Sequence, residues 1–231
     1  MTFFSKLFAS AALCSLSISS PVFADATVRY GELQAVIDAI NDPDPVMRLA
    51  QLDEILKKGD ATEVQLAIRT AFSVEDPNVR SLALRAHFAG FKTFVITAQL
   101  PEDWQKATES TDKDMVERVS NNYLMRLFRD LGYQFSFEAE YPSSENLEFR
   151  VKMLNNPRVS DEYIGSGNIR GGMITVATPF YFSSGDKACS FEFTRYEGFA
   201  LKGFGSCNVD GGFLFPATLQ LFDDEKPAGK N

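Results

Sequence analysis

Two cysteines near the C-terminal end of the chain are the residues whose number and spacing best predict a chemical bond. The chain has three cysteines, but Cys14 lies in an N-terminal segment that we expect to be cleaved off. Cys189 and Cys207 remain, and neither belongs to a Cys-x-x-Cys or His-x-x-x-His spacing that would predict a zinc site. We therefore predict a disulfide between them, as is typical of exported proteins in an oxidising compartment.

The same two cysteines predict the register of a β-hairpin. They are symmetric about Gly198, so a hairpin that turns there places them directly opposite each other. Phe191 would then face Gly205 and Phe193 would face Gly203, and a large ring opposite a glycine compensates for the weak strand preference of glycine. A two-residue turn that begins one residue earlier is the alternative. It would put the cysteines on opposite faces of the sheet.

Hydrolytic chemistry would need a histidine or a pair of carboxylates. His87 is the only histidine, and the equivalent position in an earlier repeated segment is the apolar Ile55, so we interpret His87 as a packing residue rather than a general base. Two carboxylates roughly 5 to 10 Å apart could hydrolyse a glycoside. Acidic residues are too frequent for one pair to stand out, so no catalytic residue is assigned. The candidates are Glu138, Glu140, Asp161, Glu162, Glu192 and Glu197.

The overall charge and the motifs limit the partners further. The chain has 23 Lys and Arg residues against 31 Asp and Glu residues, which gives a net charge of −8. It therefore has no basic field with which to hold a phosphate backbone, and we expect no nucleic-acid binding. The glycines around Asn168 do not form a phosphate loop, because the Lys-Ser/Thr ending of that motif is missing, and we interpret this segment as a flexible loop between strands. We predict neither a cofactor nor a metal site.

Residues 1–24 have the pattern of a signal peptide. Lys6 supplies the positive charge, residues 7–18 are apolar or small, and small or compact residues precede a cleavage site between Ala24 and Asp25. The apolar run is shorter than the roughly 20 residues that cross a bilayer. We therefore expect a mature protein that is exported, periplasmic or secreted, and not membrane-spanning after the signal is removed.

Residues 25–131 are predicted to form a helical domain that contains a repeat. The segments 44–48 and 76–80 share the pattern Asp-Pro-x-apolar-Arg, and the second begins 32 residues after the first. Asp can cap a helix, and Pro is tolerated at the first helical position. Apolar residues at helical spacing lie before and after each segment, so each unit is predicted to be a helix hairpin.

These two segments resemble HEAT-like helical repeats over residues 28–92, approximately. The resemblance implies stacked helical hairpins and a scaffold that binds a partner on the surface of the stack. A plain four-helix cap packed on the neighbouring domain is the alternative interpretation.

After Gly132 the hydrophobic period changes from that of a helix to that of a strand. Apolar and polar residues alternate, and Asp-Gly and Gly-rich separators predict turns. Residues 132–222 are therefore predicted to form an antiparallel β-sandwich or small barrel, followed by a disordered tail at 223–231. The predicted fold class is α+β, with HEAT-like hairpins followed by this β domain.

Three functions from different classes follow from this organisation. The favoured one is an exported, non-catalytic binding or scaffold protein that engages a partner protein or an envelope component. The first alternative is a carrier of a small apolar ligand or lipid, and the second is a carboxylate-dependent hydrolase. The carrier would need a cavity lined by Phe180, Phe182, Phe191, Phe193, Phe213 and Phe215.

Overall fold

The computed structural model describes residues 22–90, 93–140, 147–155, 163–182, 185–208 and 214–222. Within these ranges the chain begins with four helices, which are connected by short turns. They are α1 (Val22–Ile40), α2 (Pro45–Lys58), α3 (Ala61–Ser73) and α4 (Pro77–Gly90).

The repeated Asp-Pro segments begin helices α2 and α4, as their sequence predicts. The Asp44 carboxylate accepts hydrogen bonds from the backbone N–H groups of Val46 and Met47, and Asp76 does the same at the start of α4. Arg48, from the first segment, also donates to the Asp76 carboxylate at 3.1 Å. Burial acts to raise the pKa of Asp76, but the hydrogen bonds from Arg48 and from the backbone hold it below its ordinary value. The repeated motif therefore joins the two hairpins to each other.

The rest of the described chain forms a closed antiparallel barrel with three further helices. Each strand pairs with the next one in sequence, and the first strand pairs with the last, which closes the barrel. The strands are β1 (Thr93–Ala98), β2 (Gln134–Glu140), β3 (Glu148–Met153), β4 (Ile164–Arg170), β5 (Met173–Phe182), β6 (Gly185–Glu197), β7 (Ala200–Cys207) and β8 (Leu214–Gln220). The helices α5 (Glu102–Thr108), α6 (Lys113–Ser120) and α7 (Tyr123–Leu131) lie between β1 and β2 in sequence.

Phenylalanine rings fill the interior of the barrel. Along β2, β5 and β8 the side chains alternate between buried and more exposed, and the inward positions of the barrel include Phe135, Phe191 and Phe215. The ring of Phe191 lies 5.4 Å from that of Phe135 and 6.1 Å from that of Phe215, measured between centroids. A barrel of eight strands is just wide enough for side chains to fill, and this one is filled by aromatic packing.

Helices cover both ends of the barrel. At one end, α4 places Phe88 against Phe94 of β1 and Phe149 of β3, with ring centroids 5.6 and 6.0 Å apart. At the other end, α7 places Phe128 against Phe215 of β8 at 5.0 Å. The helical and β parts therefore share one continuous hydrophobic core.

The predicted fold class, HEAT-like hairpins followed by a separate β domain, is wrong. A repeat solenoid grows by adding hairpins to its own stack. Here the chain enters the first strand of a barrel directly after α4, and α3 and α4 pack on the end of that barrel. Of the two β architectures that we considered, the sandwich is wrong and the small barrel forms, because β1 pairs with both β2 and β8.

Two strands were missed in the sequence. Strand β1 lies inside residues 25–131, where we predicted a helical domain, and its apolar residues Phe94 and Ile96 face the barrel interior. Strand β4 was predicted to be a flexible loop because it contains Gly165 and Gly167. Both glycines are required by close packing, because a Cβ at Gly167 would collide with the ring of Phe149 and one at Gly165 would collide with the backbone of β5.

The two ends of the sequence remain predictions. Residues 1–21 of the expected signal peptide and the expected disordered tail at 223–231 lie outside the described residues. Asp25, on the far side of the expected cleavage site, is exposed on α1, and Ala24 belongs to the same helix. No helix in the described ranges is both long enough and apolar enough to span a membrane.

Candidate functional site

The two cysteines predicted to bond are brought together by strands β6 and β7. Cys189 pairs directly with Cys207, their Cα atoms are 3.9 Å apart, and their sulfur atoms are at disulfide distance. Both side chains are buried. The predicted facing of Phe191 with Gly205 is confirmed, and so is that of Phe193 with Gly203. This geometry fits a protein of an oxidising compartment.

The turn that sets this register differs from both predicted turns. Glu197 pairs with Ala200, so the turn consists of Gly198 and Phe199, one residue later than the predicted alternative. Gly198 has a φ of +59°, a conformation that glycine adopts without strain. A register shift between Phe193 and Arg195 then inserts an extra residue into β6. This irregularity restores the predicted register at the cysteines.

His87 is a buried packing residue, as the sequence predicts. It is 4% exposed, and its ring contacts Phe88 and Phe222 with centroid distances of 5.3 and 4.7 Å. Burial lowers its pKa to about 4, although a hydrogen bond with the backbone of Leu221 opposes this effect. His87 is therefore neutral at pH 7.

The described candidate carboxylates lie on exposed positions of the barrel wall. Glu138 and Glu140 point outward from β2, where Lys152 and Arg150 are their cross-strand partners on β3. An Arg150 nitrogen lies 3.4 Å from a Glu140 oxygen. Glu197 pairs with Arg195 at 3.0 Å. Glu192 faces outward on β6, whereas Asp161 and Glu162 lie outside the described residues.

Five of the six phenylalanines that could line a ligand cavity are described, and all five are buried. They are Phe180, Phe182, Phe191, Phe193 and Phe215, while Phe213 lies outside the described residues. The ring of Phe191 is stacked with that of Phe193 at 6.5 Å. These rings are therefore part of the packed core, where Phe191 also contacts Phe215 and Phe182 contacts Tyr123 of α7.

A concave surface on the outside of the barrel is the best candidate site. It encloses about 540 Å³ and runs across strands β4 to β8. The strand register arranges its outward residues in two adjacent rows, which we call the outer groove. The first row contains Asn168, Thr175, Glu192 and Phe204, and the second contains Ser166, Ala177, Ser190, Ser206 and Leu214.

The floor and rim of the outer groove differ in size and polarity. The floor consists of small side chains, such as those of Ala177 and Ser190, which leave the groove open. Phe204 and Leu214 border it as diagonal neighbours on β7 and β8, and they are 59% and 67% exposed. Glu192 is the one charged side chain among the described residues that line this groove. The outer face of β2 and β3, in contrast, is occupied by oppositely charged pairs.

The exposure of Phe204 is explained by its strand. Its neighbours Gly203 and Gly205 have no side chain to place inside the barrel, where the backbone of β6 and the rings of Phe191 and Phe215 leave no space for a Cβ. Phe204 points the opposite way because side chains alternate along a strand. Phe204 was not predicted from the sequence as a functional residue, although a phenylalanine at an outward strand position was a signal for it.

Comparisons with protein families, with curated proteins and with solved structures found no match for this chain. Nothing in them therefore supports the HEAT-like resemblance. Among the described residues, no group of three or more His, Cys, Asp or Glu side chains is arranged to hold a metal ion.

Proposed function

We propose that this protein is an exported, non-catalytic binding protein that engages a partner protein through the outer groove. The observation that carries the proposal is the exposure of Phe204 and Leu214 beside a floor of small side chains. Large apolar side chains that remain in water beside a concave surface are typical of recognition sites.

The closed barrel limits how a partner can bind. Each described strand already has two neighbours, so none of them has an edge free to pair with an added strand. Recognition must therefore depend on side chains of the outer wall. We expect the partner to place an apolar side chain over the small floor residues and a basic residue beside Glu192.

Export is part of the proposal for two reasons. The sulfur atoms of Cys189 and Cys207 are at disulfide distance, and the first 24 residues have the pattern of a signal peptide. A periplasmic or secreted location follows from both. The filled interior favours a protein partner over an apolar ligand in the barrel, which was the first alternative.

The experiment is photo-crosslinking in the native host. A photoreactive residue at Ser190, in the groove, is compared with one at Glu138, on the charged face of the barrel. We expect a defined adduct from position 190 only, and we expect Leu214→Arg to abolish it. Leu154→Arg is the matched control, because Leu154 is also an exposed leucine but lies at the end of β3. Equal adducts from both positions, or equal loss in both arginine variants, would refute the proposal.

A further inference from the structure

A second concave region lies where the helical cap meets the barrel. It encloses about 430 Å³ between α3, α4 and the ends of β1 and β8, a volume within the ~300–1,000 Å³ of typical ligand pockets. Its lining includes the polar side chains of Gln65, Arg69 and Thr93 together with the rings of His87 and Phe222. We call it the junction cleft.

The guanidinium of Arg69 is held in this cleft by aromatic rings. It lies 4.8 Å from the ring centroid of Phe222 and 5.6 Å from that of Phe199. In the part of the chain that the structure describes, no carboxylate forms an ion pair with it, although Arg29, Arg48 and Arg150 all have acidic partners. Contact with a ring uses the face of a guanidinium and leaves its N–H groups, which lie in its plane, able to donate.

The charge of the cleft is opposite to that of the whole chain. The protein has a net charge of −8, yet the described lining of the cleft contains no acidic residue. Because His87 is neutral at pH 7, Arg69 is the one charged group of that described lining. One guanidinium matches one carboxylate, which it can bind through two parallel hydrogen bonds.

We propose that the junction cleft binds a small organic monocarboxylate. The carboxylate contacts the guanidinium of Arg69, and Gln65, one helical turn earlier on α3, offers its amide as a second donor. The apolar body of the ligand lies against Phe222. This site is separate from the outer groove, so it does not depend on the proposed partner protein.

The test is a calorimetric titration of the full mature chain with benzoate and hexanoate. Benzamide and hexanamide are the neutral controls, because they keep the apolar body and remove the charge. We expect both acids to bind at least about tenfold more tightly than their amides, as the loss of a charged hydrogen bond implies. Equal binding of acid and amide by the unaltered protein would overturn the proposal.

Two variants locate the binding. Arg69→Met keeps most of the apolar stem and should weaken benzoate binding about tenfold to a hundredfold. Arg126→Met is the matched control, because Arg126 also lies over a ring, 5.0 Å from the centroid of Tyr123, but does not line the cleft. Equal losses in the two variants would refute the assignment to Arg69.

A third variant distinguishes the binding of a free carboxylate from the binding of a carboxylate of the chain's own C-terminal residues. The sequence continues from Phe222 into Asp223, Asp224 and Glu225, which could supply a carboxylate. We expect the chain without residues 223–231 to bind benzoate as the full chain does. Binding that occurs only after this truncation would overturn the proposal of a free ligand.

Discussion

At the end of the barrel covered by α7, the buried helical side chains are Leu124, Leu127 and Phe128, whereas at the end covered by α3 and α4 they include His87. The buried side chains that α7 contributes to the first end are all apolar. The second contains a titratable ring packed among aromatic residues. The two ends bury similar side chains, but only the second holds, among the described residues, a buried group whose charge changes between pH 7 and pH 4.

Cation–π contacts occur at both ends, since Arg126 lies over the ring of Tyr123 on α7, but a half-buried tyrosine adds to the difference. At the α3 and α4 end, the guanidinium of Arg80 lies 4.4 Å from the ring centroid of Tyr196. The Tyr196 hydroxyl donates to the backbone carbonyl of Gly172 at 2.8 Å, and burial raises its pKa above the ordinary value. The comparison shows that α7 contributes only apolar side chains to the core at its end of the barrel, whereas α4 also contributes His87 at the other end.

The largest expected effect is at the apolar end. Phe128→Ala should lower the free energy of unfolding by about 3–5 kcal/mol, because it removes a buried ring that contacts Phe135 and Phe215. Urea unfolding monitored by circular dichroism measures this loss, which should be the same at pH 7 and pH 5. Met115→Ala, at an exposed position on α6, is the control and should change stability by less than about 0.5 kcal/mol. A loss at Phe128 that changes strongly with pH would contradict the comparison.

The next effect concerns Cys189 and Cys207, which lie at the same end of the barrel as α7. If they form the predicted disulfide, reduction should cost about 3 kcal/mol, because the bond closes a loop in the unfolded chain. Urea unfolding with and without reductant measures this cost. The variant with both cysteines changed to alanine should not respond to reductant. Two titratable thiols in the exported protein would show that the bond does not form.

The sequence predicts those parts of the fold that depend on local patterns. Alternating residues indicated β2, β3 and the strands from β5 to β8, and the symmetry about Gly198 indicated the pairing of the cysteines. Strand β1 has the same alternation, but it follows a helical repeat and was assigned to the helical layer. Strand β4 was missed because the glycines that accommodate Phe149 are also typical of loops.

The outer groove could not be predicted for a different reason. Its rows are formed by five strands, and residues such as Ser166, Ala177 and Ser206 have no special meaning until their register is known. The closure of the barrel pairs Thr97 with Thr218, which no local pattern indicates. Phe204 was the one signal in the sequence, and the two glycines beside it explain why it faces outward.

The smallest of these effects tests the end covered by α3 and α4. Because the pKa of His87 falls from its ordinary value of 6.5 to about 4 in the folded protein, protonation favours the unfolded chain. The contribution of neutral His87 to the free energy of unfolding is complete above pH 6.5 and is lost as the pH falls toward 4. We therefore expect the free energy of unfolding to fall by about 2 kcal/mol between pH 7 and pH 5 on account of this residue.

Urea unfolding of the unaltered protein and of His87→Leu at both pH values separates the contribution of His87 from that of other titrating groups. We expect the stability difference between the two proteins to change by about 2 kcal/mol in favour of His87→Leu at the lower pH. A difference that stays constant would show that the two ends of the barrel respond alike to acid.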